Sequence, residues 1–469
     1  MVPSMATAVF DPILKTSSGN PNRRNVAPRK TPPPHPVLGK IALLAVLAGL
    51  VTVVTLAISV ETSKEMALPG GVTTFIGSMT GIVGMYLALV MVLVVARIPA
   101  LERILGQDGM LRWHRRLSPW PISLLIAHAI FVTIGYAQAA KTGSLHELGN
   151  LINSYPDVLA ATVGLGLMVL IGIASIRAIR TRLKRETWWV LHLYIYLALA
   201  LSFAHVLALG PSFVGHPLVR LFWSVIWAAT AGTVIVYRFG IPIFRSFKFG
   251  LTVQEVIREG PDVVSVILKG KKLETLAVSG GQFFAWRFLT RGLWWQAHPY
   301  SLSALPRPPY LRLTVKQIGD HSRAVAQIRP GTKVAIEGPY GAVTHHVRRH
   351  QKVALIAGGI GITALRSLLE DLPKESRPAV IMRARSSEEL VFKQEVAELI
   401  KHRRGTLQEL VGSRTEVDDL EKALKAMIPD IRQRDVYVCG PPGMVEDAVA
   451  AAKRIGVSHD SIHFEIYSW

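Results

Sequence analysis

The sequence predicts a membrane α-helical six-helix bundle, then an antiparallel β-barrel, then an α/β parallel-sheet domain. Three observations carry this. The first half holds six apolar runs, each long enough to cross a hydrocarbon core of about 30 Å. Short alternating segments with Gly- and Pro-containing turns begin near residue 247, and from about 351 apolar strands alternate with helical stretches. A length of 469 residues accommodates several domains. The expected boundaries are a tail at 1–39, the helical domain at 40–245, the barrel at 246–350 and the α/β domain at 351–469.

Composition narrows the class. A formal charge of +21 ordinarily suggests nucleic acid, yet the Lys and Arg residues cluster in short stretches between apolar runs. That is the pattern of cytoplasmic membrane loops, so nucleic-acid binding is set aside. Cys439 is the single cysteine, which excludes an intrachain disulfide framework and any Cys-ligated cluster or zinc site within this chain.

The tail, rich in Pro, Ser and Asn with Lys15, Arg23, Arg24, Arg29 and Lys30, can bury little. It reads as a disordered basic segment lying against an anionic inner leaflet. A signal peptide is the competing reading; the run that follows is too long for its apolar region and lacks a small-residue cleavage site.

The six runs lie near 41–60, 73–96, 113–139, 158–178, 187–209 and 217–243. The second connection (Arg97, Arg103, Arg112, then Arg115 and Arg116) and the fourth (Arg177, Arg180, Arg182, Lys184, Arg185) are basic. The others carry few cations. The positive-inside rule therefore places both termini in the cytoplasm of a plasma or inner membrane.

Two runs carry two histidines each: His114 and His128, fourteen apart, and His192 and His205, thirteen apart. On a helix rising about 1.5 Å per residue these spacings separate two side chains by roughly 20 Å. Two such helices side by side can clamp two haems, one near each membrane face, with one imidazole from each helix per iron. Each histidine alone reads rather as a hydrogen-bonded core residue; four at matching depths point to function, because ionisable groups inside a bilayer are rare. Thirteen residues at 100° each leave His192 and His205 on different azimuths, so a kink or bulge is expected in the second helix. Pro119 and Pro121 offer a kink in the first.

Strands are expected near 251–257, 263–268, 282–288 and 310–317. Among them stands His298-Pro299-Tyr300-Ser301-Leu302-Ser303, with Gly281-Gln282-Phe283 before it and Lys316 and Gly319-Asp320 after it. Glu337-Gly338-Pro339-Tyr340-Gly341 would close the barrel.

In the last stretch a strand at 353–357 leads into Gly358-Gly359-Ile360-Gly361-Ile362-Thr363 and a helix at 364–372. Strands at 379–382, 407–411 and 435–439 follow, the last continuing into Gly440-Pro441-Pro442-Gly443-Met444. Ligands of such a sheet sit at the carboxyl ends of its strands, where glycines admit close backbone approach and a helix N-terminus attracts pyrophosphate. Arg383 and Arg385 follow the second strand, where an adenosine ribose should lie. Arginine forks suit a 2′-phosphate, so NADPH is preferred over NADH; alternatively the two pair with Glu388 or Glu389.

Over roughly residues 40–469 these features resemble the ferric reductase and NADPH oxidase superfamily. The resemblance implies that His114 pairs with His192 on an inner b-type haem and His128 with His205 on an outer one. It assigns residues 298–303 to FAD, and the Gly358–Thr363 and Cys439–Met444 runs to the nicotinamide nucleotide. Ala364 departs from it, where relatives commonly have Pro. Trp469 and Cys439 are the candidates at the reacting end: Trp469 as a terminal aromatic stacked on the flavin, Cys439 as a neighbour of the nicotinamide rather than a nucleophile. Arg115 and Arg116 serve either haem propionates or the positive-inside bias. The implied activity moves electrons from cytoplasmic NADPH through FAD and two haems to an acceptor outside. A ferric or other metal chelate is favoured over dioxygen, because Val132 stands where some oxygen-reducing relatives have a further histidine. A protein electron acceptor and a haem-binding sensor are the alternatives.

Overall fold

The structure, a computed structural model, describes residues 36–60, 63–183, 185–209, 216–412 and 420–467. The chain divides into two units, His35–Phe239 and Gly240–Trp469. Of the tail, 1–35 lies outside the described residues; 36–39 already belong to the first helix.

Among the described residues the longer helices of the first unit are α1 (Pro36–Val60), α2 (Gly71–Val95), α3 (Pro99–Leu117), α4 (Pro119–Ala140), α5 (Ser144–Ser154), α6 (Val158–Ser175), α7 (Arg185–Leu209) and α8 (Pro217–Val234), the last continued by a π-helical stretch, Ile235–Gly240. Among the described residues six stretches are long and apolar enough to cross a membrane: Lys40–Ser59, Gly71–Val95, Gly109–Ala140, Val158–Ser175, Thr187–Leu207 and Pro217–Phe249. Much of their apolar surface faces outward, as at Leu44, Ile130, Leu170 and Leu197, which suits lipid rather than water. A smaller set, including Met85, Leu89, Ala198 and Trp223, is buried between helices.

Small residues let the backbones approach where lipid gives no hydrophobic drive for helix association. A Cβ added at Gly77 of α2 would stand 2.8 Å from the Val132 nitrogen of α4. One added at Gly164 of α6 would stand 2.7 Å from the Ala198 carbonyl oxygen of α7. The bulge expected in the second histidine helix is not there: α7 is α-helical from Arg185 to Leu209. The adjustment falls in the first, where Ser118 separates α3 from α4 ahead of Pro119 and Pro121. Proline has no N–H for the helical ladder and its ring crowds the preceding turn, so His114 and His128 ride on separate segments. Helix α5, in the third connection, has no counterpart in the sequence reading.

The second unit begins with α9 (Ile241–Phe249). Its barrel comprises β1 (Leu251–Gly260), β2 (Val263–Lys269), β3 (Phe283–Phe288), β4 (His298–Ser301), β5 (Tyr310–Lys316) and β6 (Lys333–Tyr340), with the short helix α10 (Asp320–Ala326) between the last two. The strand order is β4-β3-β6-β1-β2-β5, antiparallel throughout, and a Leu302–Leu313 bridge joins the two ends. Alternation along the strands sends Leu268, Phe284, Trp286, Phe288, Leu311 and Leu313 inward.

The α/β part holds β7 (Lys352–Gly358), α11 (Ile362–Asp371), β8 (Ala379–Ala384), α12 (Lys393–Lys401), β9 (Thr406–Val411), α13 (Leu420–Met427), β10 (Arg434–Gly440), α14 (Pro442–Ile455) and β11 (Ile462–Ile466). All five strands are parallel, in the order β11-β10-β7-β8-β9. The order reverses direction between β7 and β10, which makes the carboxyl ends of those two strands the natural ligand crevice.

Candidate functional site

The bundle brings the four histidines together in two pairs. The rings of His114 and His192 stand 6.1 Å apart, centroid to centroid, and those of His128 and His205 6.3 Å apart. A metal–imidazole bond is about 2.0 Å and the ring centre lies roughly 1.1 Å behind its nitrogen, so two rings on opposite sides of one iron stand about 6 Å apart. Both pairs therefore fit a bis-imidazole haem.

Neighbouring groups support the fit. His128 Nδ1 lies 2.9 Å from the Gly77 carbonyl oxygen of α2. That acceptor holds the proton on Nδ1 and leaves Nε2 as the ligating nitrogen, the usual arrangement behind a metal-bound imidazole. A Cβ at Gly81 would stand 2.5 Å from the same Nδ1, so the ring has its place because residue 81 has no side chain. The Nδ1 atoms of His192 and His205 are buried with no hydrogen-bond partner among the described residues, a cost that ligation by the other nitrogen would offset. Around His128 and His205 lies a cavity lined by Met85, Leu125, Val132, Tyr155, Met168 and Trp223 among others. At the His114–His192 pair, Trp188 stacks on His192 with ring centroids 4.9 Å apart, and the Arg180 guanidinium sits 4.3 Å above the indole. Arg115 and Arg116 are exposed beside His114.

In the second unit, β4 pairs with β3, and the Trp286 indole N–H donates to the Tyr300 carbonyl at 2.8 Å, which fixes the strand from below. Pro299 is exposed and His298 half-buried, while Tyr300 through Ser303 turn inward. Two partners escaped the sequence reading. The His321 ring stacks 3.6 Å from that of His298, and its Nδ1 is 2.9 Å from the Tyr300 hydroxyl. The only signal for it is its place two residues after Gly319. Tyr467 bonds the Ser301 hydroxyl at 2.8 Å and also reaches Thr363, so it ties the strand carrying Ser301 to the start of α11. Burial, then the charge of Glu465, pushes its phenol well up. Leu302 is buried in the barrel, and Ser303 is engaged with Thr314 at 2.7 Å. Lys316 lies between Asp262 (3.5 Å) and Glu389 (3.6 Å).

The crevice between β7 and β10 is made of backbone. Gly359 has φ +51 with open space where a side chain would be, a conformation that favours glycine. A Cβ on Gly361 would stand 2.1 Å from the Cys439 carbonyl oxygen, and one on Gly440 3.1 Å from the Gly358 Cα. Only glycines allow the two strand ends to close this far. Met444 and Pro441 flank Gly358, and Pro442 starts α14. Ile362 and Thr363 open α11 and are buried. Cys439 is fully buried, and desolvation, then Glu465, push its thiol well above its ordinary range, so it is a packing group and not a thiolate. Arg383 is half-buried at the end of β8 and Arg385 exposed beyond it; among the described residues neither guanidinium has an ion-pair partner. Glu389, one of the acids considered for them, instead meets the Lys316 ammonium and accepts only the Arg385 backbone N–H. Trp469 lies outside the described residues.

A chain of five charges ties the barrel to the α/β part. Glu395 takes both terminal nitrogens of Arg312 (2.8 and 2.7 Å) and the Nε of Arg366 (2.7 Å). Arg366 also meets Glu370, which accepts from Arg307 at 2.6 Å and from the Leu305 N–H at 3.1 Å. Arg312 donates to the Ser303 carbonyl at 3.1 Å, one end of the expected flavin-binding run. Burial alone would push Glu370 up; Arg366 and Arg307 outweigh it and hold the carboxyl at about 2.

A membrane bundle with two imidazole pairs, joined to an antiparallel barrel and a nucleotide-type parallel sheet, defines a membrane-bound oxidoreductase architecture. Three family models match the chain in order: ferric reductase like transmembrane component over residues 80–203, FAD-binding domain over 248–344, and oxidoreductase NAD-binding domain over 355–450. Their order matches that of a ferric reductase and NADPH oxidase-type fusion. It is 24% identical over 312 residues to a Candida albicans ferric/cupric reductase transmembrane component, covering 64% of this chain and 38% of that one. It is 30% identical over 181 residues to a Vibrio cholerae flavohemoprotein, covering 36% of this chain and 45% of that one. The chain spans about half the length of the curated flavohemoproteins it matches. A solved flavohemoglobin from Malassezia yamatoensis is similar at 18% identity and TM-score 0.42, covering 82% of this chain and 98% of that one.

Proposed function

We propose that the protein carries electrons across a plasma or inner membrane, from cytoplasmic NADPH through FAD and two b-type haems to an acceptor on the far side. The observation that carries this reading is the pairing of His114 with His192 and His128 with His205 at the separations one iron requires. Bound in these places, the nicotinamide supplies a hydride, the flavin divides it into single electrons, and haem iron carries one at a time.

The residues supply position and electrostatics. The Gly77 carbonyl sets the His128 tautomer. Tyr300 and Ser301 offer a ring and a hydroxyl at the flavin strand, with Tyr467 bonded to Ser301. Gly358 to Gly361 and Gly440 let a dinucleotide lie against the backbone at the start of α11, where unpaired N–H groups favour pyrophosphate. Arg383 and Arg385 are free to fork onto a 2′-phosphate, which supports NADPH over NADH. The proposed domains are 40–245 for haem, 246–350 for FAD and 351–469 for the nucleotide, with both termini cytoplasmic.

A ferric or other metal chelate is the favoured acceptor and dioxygen the second, since Val132 and not a further histidine lines the cavity beside His128 and His205. Purified protein supplied with NADPH, with and without chelated iron, should form Fe(II) faster than superoxide. Superoxide at an unchanged rate in the presence of chelate reverses that order. Steady NADPH consumption separates an enzyme from a sensor, which would be inert with every acceptor.

A further inference from the structure

The last membrane stretch is longer than a bilayer needs. Pro217–Phe249 covers 33 residues, whereas about 20 cross the hydrocarbon. Counted from Pro217, the core is crossed near residue 237, which leaves α9 beyond it. One side of α9 belongs to the barrel. Phe249 is buried, its carbonyl accepts the Lys271 N–H at 2.8 Å, and the Ser246 hydroxyl accepts the Ile336 N–H at 3.4 Å. On the other side Ile243, Phe244 and Phe247 are 54, 66 and 83% exposed. Spaced i, i+1 and i+4, they form one apolar stripe.

Lysines gather at the same end of the barrel. Lys271 and Lys272 lie exposed in the turn bonded to the end of α9. Lys269 and Lys333, also exposed, are the two cross-strand partners of Thr252, three residues after that end. Lys248 is on α9 itself, its ammonium 5.2 Å over the Phe249 ring. Among the described residues none of the five has an ion-pair partner, and Glu274 is the one acid in the 269–275 segment. An apolar stripe rimmed by unpaired lysines, continuous with a membrane-crossing helix, has the chemistry of a helix lying in an anionic lipid interface.

We propose that α9 and this lysine collar are a membrane foot: Ile243, Phe244 and Phe247 enter the headgroup–acyl boundary, and Lys248, Lys271 and Lys272 hold anionic lipid headgroups. The flavin barrel is thereby seated on the inner leaflet. The proposal rests on the membrane-spanning, termini-inside reading above, and haem content and membrane extraction report on that reading separately.

The test uses the full-length holoprotein in nanodiscs of phosphatidylcholine alone or with phosphatidylglycerol. Cys439 is buried, so Phe247→Cys gives one reactive site for a spin label at an exposed position. In anionic discs the label should be open to oxygen and shielded from a water-soluble relaxation agent. Neutralising Lys248, Lys271 and Lys272 to Gln should shift the shielded-to-open ratio by about fivefold per lysine, with NADPH–ferricyanide activity unchanged. Inorganic phosphate should not displace the label, whereas displacement would mean a free-anion site and overturn the lipid assignment. A label open to water in anionic discs, or equally shielded in neutral discs and in the triple variant, would also overturn it.

Discussion

Glu370→Gln isolates the electrostatic tie between barrel and nucleotide sheet. The carboxylate accepts from Arg307, Arg366 and the Leu305 N–H, and its side chain is only 14% exposed. Arg366 is 0% exposed, so the neutral variant leaves a buried guanidinium facing Glu395 alone. Folding lowers the Glu370 pKa from 4.5 to about 2, which corresponds to about 3 kcal/mol of stabilisation of the charged form. Removing one partner of a buried pair costs about 3–5 kcal/mol on general grounds, the same order. For a unit of some 200 residues that is roughly a 10 °C fall in the temperature of flavin release. A folded pKa below the unfolded one gives stability that is complete above about 4.5 and lost as pH falls towards 2. Flavin fluorescence during thermal scans of the full-length protein should show the whole gap at pH 7, narrowing below about 4.5. A variant that releases flavin within a degree of wild type at pH 7, or a gap undiminished at pH 3, would refute the reasoning.

Other substitutions test the site at separate points. Gly81→Ala puts a methyl 2.5 Å from His128 Nδ1 and should cost about 1–3 kcal/mol of overpacking, read as loss of one of two haems by pyridine haemochrome. Arg383→Gln with Arg385→Gln should raise KM for NADPH about 10–100-fold and leave NADH alone, as charged hydrogen bonds to a phosphate would demand; equal effects on both nucleotides would remove the 2′-phosphate role. Tyr467→Phe keeps the ring but loses the bonds to Ser301 and Thr363, about 1 kcal/mol each. Fluorescence titration should therefore show FAD held several-fold more weakly, and unchanged affinity would reduce Tyr467 to packing.

What the sequence disclosed, and what it withheld, follows from the range of the forces involved. Hydropathy is a local property, and the six spans and the strands of both sheets other than β11 fall close to where their patterns put them. The helix break beside Ser118 was readable because proline acts on its own turn. The unbroken α-helical winding of α7 was not, because whether two imidazoles meet partners depends on how neighbouring helices cross. Gly77 and Gly81 matter only through contact with His128 on another helix. Glu370, Glu395 and Arg366 look like ordinary helix-surface charges until the barrel covers them with Arg307 and Arg312. Tyr467 sits in a stretch whose final aromatic drew attention first, and β11 beside it was not anticipated as a strand.

The account turns on four imidazoles holding two irons. Haem per chain, measured on purified protein after haem-replete expression together with the reduced visible spectrum, tests this directly. Two haems per chain with a b-type α-band, falling to one in His128→Leu while NADPH–ferricyanide activity persists, is the predicted result. A chain without Soret absorbance, or a His128→Leu variant with undiminished haem, would contradict it.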